Sequence, residues 1–134
     1  MRRRTFLGGL SASALAAGTA SLSFGQVAAK RLTMPPLLDA TSSGQVRLEA
    51  QKGRTAFVGS SRADTWGFNQ PFLGPTLRMS TGRATQVDVL NSLDEEISVH
   101  WHGLLVPGTV DGGPHQTVEP ATTWSPELEL TQPA

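Results

Sequence analysis

Beyond residue 45 the chain is written in short alternations of apolar and polar residues, and no stretch there carries apolar residues at helical spacing. Val46-Arg47-Leu48-Glu49-Ala50 alternates cleanly and predicts a strand. Lys52-Gly53 reads as a turn signal and residues 54–58 as a second strand, so the two are expected to form a hairpin. Residues 59–63 read as a loop. The Gly74-Pro75 pair breaks local structure ahead of a short strand at 76–79, and Ser80-Thr81-Gly82 predicts a turn. Residues 85–91 predict a further strand, followed by a turn at 92–96 whose three acids read as solvated. Residues 97–102 alternate again, and 123–130 predict the last strand. About six short strands with turn signals between them indicate an all-β fold, an antiparallel sandwich or barrel.

The 97–102 stretch, Ile-Ser-Val-His-Trp-His, holds two of the three histidines. On a strand, residues two apart share a face. Ile97, Val99 and Trp101 are therefore expected to face the core, and Ser98, His100 and His102 to face away. That spacing sets the two imidazoles roughly 6.5–7 Å apart at the backbone. Imidazole is a common ligand for copper and zinc, so the pair is a start on a metal site. On spacing alone, His100 and His102 also read as ordinary surface or core histidines. Asp111 precedes Gly112-Gly113-Pro114 in a glycine-rich loop, where an aspartate serves a turn. His115 in the same loop reads as a surface histidine and is left out of the site. Trp66 and Trp101 read as core fillers.

Composition narrows the chemistry. The 134 residues include no cysteine, which excludes disulfides, thiolate metal sites, thiol nucleophiles and a blue-copper site within this chain. Formal charge is zero overall, yet the first 29 residues hold three arginines and no acid, leaving the remainder at about −3. No basic stripe is interleaved with aromatics, so nucleic-acid binding is not expected. Residues 1–29 read as an export signal: Arg2-Arg3-Arg4, a weakly apolar run from Phe6 to Phe24, then Val27-Ala28-Ala29 ahead of a cleavage before Lys30. Arg3-Arg4-Thr5-Phe6-Leu7 resembles the twin-arginine signature, which implies the twin-arginine export machinery and a periplasmic mature chain. The run is too short and too rich in Gly, Ser and Thr for a stable membrane span. Residues 30–45, with Pro35-Pro36 and Ser42-Ser43-Gly44, predict an extended lead-in ending in a turn.

From about Val46 to Ala134 the chain resembles the first cupredoxin domain of the multicopper oxidases, with a likeness to the bacterial periplasmic copper-efflux oxidases of the laccase group. The resemblance is carried by Thr65-Trp66-Gly67-Phe68-Asn69, by Leu73-Gly74-Pro75, by the strand from Val87 to Asn91, and above all by His100-Trp101-His102-Gly103-Leu104 with Val110-Asp111-Gly112-Gly113-Pro114 behind it. It implies a Greek-key, cupredoxin-like β-sandwich over residues 46–134. It also implies copper as cofactor, with a reducing substrate (cuprous ion or a phenol) and dioxygen as partners of the full-length family. The family holds three coppers on four His-x-His motifs. By resemblance His100 would bind the type 2 copper, His102 one of the type 3 pair, and Asp111 would assist proton delivery beside the type 2 copper. A second His-x-His motif is expected just after Gln132-Pro133-Ala134. The chain is accordingly expected to be the truncated front end of such an oxidase, its sandwich incomplete at the C-terminus, marginally stable and inactive alone. The competing readings are a copper-binding module without turnover and a copper-free structural relative, as in some exported relatives that act in cell division. The retained His-x-His argues against the last.

Overall fold

A computed structural model describes residues 34–133; the export signal expected over 1–29 and the first residues of the lead-in lie outside them. The strands are β1 (Leu37–Asp39), β2 (Gln45–Val58), β3 (Ser61–Phe68), β4 (Thr76–Arg78), β5 (Ala84–Asn91), β6 (Thr123–Trp124) and β7 (Glu127–Glu129). There is no helix among the described residues, and hence none long and apolar enough to cross a membrane.

The alternation of β2 and β5 sets the architecture. Val46, Leu48 and Ala50 point to one face of β2, and Val87 and Val89 to the same face of β5. The two strands run parallel in a register that sets Val46 beside Val87 and Leu48 beside Val89. Leu128 of β7, Ala40, Val99 and Trp101 complete the buried cluster, and Leu38 and Leu77 pack on it from the other side. Each fully buried Val or Leu contributes roughly 1.5–3 kcal/mol. Leu38 and Leu77 belong to a second, two-stranded sheet in which β1 pairs parallel with β4. The main sheet has the order β3-β2-β5-β6, with β7 further along the same edge of β5. The fold is thus all-β and cupredoxin-like. The parallel pairs differ from the antiparallel sheet expected: after the β2–β3 hairpin the chain crosses to the second sheet as β4, then returns as β5 in the direction of β2.

Three further expectations change. Lys52-Gly53 is no turn; β2 runs through it to Val58, and the hairpin turns at Gly59-Ser60 into β3, which takes up most of the predicted 59–63 loop. Gly53 is there for close approach, since a Cβ on it would lie 2.4 Å from both Cα and the carbonyl oxygen of Pro71. Gly53→Ala is therefore expected to destabilise the chain by about 1–3 kcal/mol, as an overpacked contact against backbone; an unchanged urea midpoint would show that residues 70–72 simply move aside. Trp66 is not a core filler but 52% exposed. It lies on the far half of the β2–β3 ribbon, opposite Lys52 and beyond the 45–50 span over which β2 pairs with β5. The last strand is interrupted at Ser125-Pro126, because proline has no N–H for the ladder. Its two pieces keep one register on β5, with Val89 opposite Trp124 and Gln86 opposite Glu127.

Asn91 ends β5 as a fully buried amide whose side chain makes three hydrogen bonds. Its Nδ2 donates to the carbonyls of Glu95 and Val118, both at 2.8 Å, and its Oδ1 accepts from Leu93 N–H at 3.0 Å. The acidic turn that follows is solvent-exposed as expected, with Asp94 paired to Lys52. On the outer face of β5, hydrogen bonds from the Gln86 amide, Ser125 and the Gln45 amide hold the Asp88 carboxyl below the usual range.

Candidate metal centre

The histidine segment keeps the predicted alternation without a strand ladder. Ile97 makes a single antiparallel bridge with Val118, and residues 98–102 pair with no strand. Val99 and Trp101 are buried, while Ser98, His100 and His102 face outward. The segment ends in a tight turn: Leu104 N–H donates to the Trp101 carbonyl at 3.0 Å. His102 and Gly103 are its corner residues, and Gly103 takes φ 81°, which glycine accepts without a Cβ penalty. His102 is thus a turn residue and not a strand residue. The two imidazole centroids lie 5.6 Å apart with an interplanar angle of 70°.

What replaces the ladder is the glycine-rich loop, which lies directly on the histidine segment. Trp101 Nε1 donates to the Val110 carbonyl at 2.9 Å. Gly113 N–H donates to Ser98 Oγ at 2.6 Å, and that hydroxyl is 3.1 Å from the Gly113 carbonyl, which accepts from it. Gly112 N–H donates to Gln116 Oε1 at 3.0 Å. Between these ties Gly112, at φ 77°, passes so close that a Cβ on it would sit 2.1 Å from the Val99 carbonyl oxygen.

This close passage brings Asp111 to His100. His100 Nδ1 is 2.9 Å from the Asp111 backbone carbonyl and 3.1 Å from its Oδ1. A carbonyl oxygen only accepts, so Nδ1 carries the ring proton and donates it. Nε2 of a neutral His100 is then left with a free lone pair, as a metal ligand requires. With the proton directed at the carbonyl, Asp111 Oδ1 remains buried without a hydrogen-bond partner among the described residues. Its contact with the ring becomes ionic only when the imidazole is protonated.

The three residues singled out from sequence, His100, His102 and Asp111, therefore lie on two adjoining segments, with His100 touching both others. His115 lies apart in function: its Nε2 is committed to the Gly108 carbonyl at 3.1 Å. No group of three or more His, Asp or Glu side chains able to hold a metal forms among the described residues. The two imidazoles offer nitrogen donors that fit copper or zinc as part of a coordination sphere, while Asp111 Oδ1 lies at the Nδ1 edge of His100. Gln116 and Gln132 carry no signal in the sequence, and Ser98 is expected there only to face outward, not to bond the loop. Gln132 Nε2 donates to the Gly103 carbonyl at 3.0 Å, and its Oε1 accepts from Leu105 N–H at 2.6 Å. A glutamine 29 residues from its partner leaves no local signal.

Residues 49–134 match the family model described as multicopper oxidase. The cell division protein FtsP of Xenorhabdus nematophila is 36% identical over 138 positions, covering 100% of this chain and 28% of the relative. The multicopper oxidase mco of Staphylococcus aureus is 37% identical over 107 positions, covering 77% of this chain and 24% of the relative. Among solved structures, the laccase-like multi-copper oxidase CueO of the lignin-degrading bacterium Ochrobactrum sp. superposes with a TM-score of 0.72 at 40% identity, over 76% of this chain and 23% of that one. The chain thus spans about a quarter of the length of these relatives.

Proposed function

Since the chain belongs to the multicopper oxidase family, we propose that residues 46–134 are the ligand-bearing part of an N-terminal cupredoxin domain, in which His100 holds a type 2 copper and His102 a type 3 copper. The observation that carries this reading is the hydrogen bond from His100 Nδ1 to the Asp111 carbonyl, which leaves Nε2 free on a ring whose centroid lies 5.6 Å from that of His102. Bound copper would supply one-electron chemistry and, as a complete three-copper cluster, reduction of dioxygen to water. The chain's own contribution is to orient the two rings, to fix the His100 tautomer, and to offer Asp111 Oδ1, buried at the Nδ1 edge of His100, as an acceptor for a proton near the site. For the whole protein we propose oxidation of cuprous ion or a phenolic-type substrate. The Ochrobactrum oxidase acts on lignin model compounds and lignosulfonate, which supports the phenolic class. Residues 1–29 would direct twin-arginine export to the periplasm.

Two imidazoles fill only part of a copper sphere, so this chain should bind Cu(II) weakly and catalyse nothing alone. In a Cu(II) titration of the purified chain, His100→Ala and His102→Ala should each weaken binding by about tenfold or more, with oxygen uptake no faster than for free copper. Equal copper retention by both variants and the native chain would sink the ligand assignment.

The second reading is a copper-free structural role in cell division. It is favoured by the match to FtsP across the whole chain, where the staphylococcal oxidase covers 77% of it. A native chain whose copper binding does not depend on His100 or His102 would favour it.

A further inference from the structure

We propose that Gln132 is a positioning residue for His102, acting through the turn that carries it. His102 is a corner of the Trp101–Leu104 turn, which is closed by one backbone hydrogen bond, and the exit limb at 103–105 lies outside every sheet. The Gln132 carboxamide meets that limb at two points, donating to the Gly103 carbonyl at 3.0 Å and accepting from Leu105 N–H at 2.6 Å. These are the partners that a neighbouring strand would offer, supplied by one planar group. The anchor behind it is firm. Leu128 of β7 is fully buried, and the Leu130 carbonyl accepts from Gly82 N–H at 2.8 Å. Gln132 follows two residues later, so its amide ties the turn to the β5–β7 edge of the main sheet. Trp101, whose side chain is buried and bonded to Val110, holds the other end of the turn. His102 itself makes no hydrogen bond to the protein among the described residues, so its ring direction follows from the backbone at 101–105.

Only a carboxamide of this length serves both points. Glutamate keeps an acceptor for Leu105 N–H but sets an oxygen against the Gly103 carbonyl, and leucine offers neither. The inference rests on the copper reading for its consequence, but the ordering of His102 is testable without metal. In the metal-free, full 134-residue chain, the His102 imidazole resonances should be dispersed. In Gln132→Leu they should move to averaged, random-coil positions, while those of His115 stay. Gln132→Glu should give a partial shift, and it serves as the readout if Gln132→Leu does not fold, as judged from the β2 and β5 amide signals. With Cu(II) as probe, Gln132→Leu should weaken binding about tenfold and add nothing in a His102→Ala background. His102 resonances that stay in place in both variants would overturn the proposal, as would an equal loss of Cu(II) affinity with and without His102. Shifted His102 resonances in a chain that shows no histidine-dependent copper binding would support the positioning role and count against the copper reading alone.

Discussion

Replacing Asn91 by alanine should lower the unfolding free energy by about 3 kcal/mol, because it strips a buried amide of all three of its hydrogen bonds. Leu93 N–H loses its side-chain acceptor, the Glu95 carbonyl loses a donor, and the Val118 carbonyl keeps only Ile97 N–H. The vacated amide volume adds a cavity in a site with no exposure. The damage should be directional. Among the described residues, Asn91 is the side chain that joins the end of β5 both to the turn after it and to Val118, the bridge partner of Ile97. Amide exchange at Ile97 and Val118 should therefore accelerate more than exchange at the β2–β5 pairs. Asn91→Asp is the informative companion. It retains the acceptor for Leu93 but loses both donors and sets a carboxylate against two carbonyls, so it should cost at least as much as alanine. A urea midpoint for Asn91→Ala within error of the native chain, or a clearly milder Asn91→Asp, would remove Asn91 from this role.

The residues that carry the fold were legible because burial here follows a period of two. Val46, Leu48, Val87, Val89 and Leu128 all fall in stretches that the sequence marks as strands, and their alternate positions form the cluster. The same logic placed Val99 and Trp101 inward and His100 and His102 outward, although residues 98–102 have no ladder. Alternation reports which side faces the core, whatever satisfies the backbone. Gly53 was misread because the absence of a Cβ can serve either a positive φ or a close approach, and sequence does not separate the two. Its neighbour Pro71 is 18 positions away and becomes its contact only through the fold. Gly112 needs both, with φ 77° and a backbone neighbour at 2.1 Å from the missing Cβ. Trp66 was misplaced for a related reason: the pattern of β3 marks a face, but whether that face is covered depends on how far β5 extends alongside β2. The proposed ligands His100 and His102 stand out by type and spacing, but their assignment to copper comes from the flanking motifs that carry the resemblance. The tautomer of His100 was not legible, because it is set by a main-chain oxygen, and main-chain oxygens are the same in every sequence.

That main-chain contact makes Gly112→Ala the substitution with the largest expected effect on metal binding outside the proposed ligands, His100 and His102. The added methyl would meet Val99 O at 2.1 Å, Val99 C at 2.6 Å and His100 N at 3.1 Å, all backbone atoms that cannot swing aside. Alanine would also have to hold φ 77°, in the left-handed region that costs an L-residue about 1–2 kcal/mol. The loop must lift from the histidine segment, and the Asp111 carbonyl goes with it. His100 Nδ1 then loses its acceptor, the ring is free to carry its proton on Nε2, and the Nε2 lone pair that a bound metal would need is no longer held ready. Removing a partner of this kind lowers metal affinity by roughly 10–100-fold, and that is the expected loss for Cu(II). Imidazole nitrogen shifts of His100 should report the change in tautomer directly, before any metal is added. Two controls separate geometry from charge. Gly108→Ala has open space for its Cβ and keeps the carbonyl that His115 uses, so both tautomer and affinity should stay. Asp111→Ala removes the carboxylate but keeps the carbonyl, so His100 should retain its Nδ1 proton even if proton exchange beside the metal slows. Were Gly112→Ala to bind Cu(II) as the native chain does, with the His100 shifts unchanged, the loop would not be what prepares His100 as a ligand.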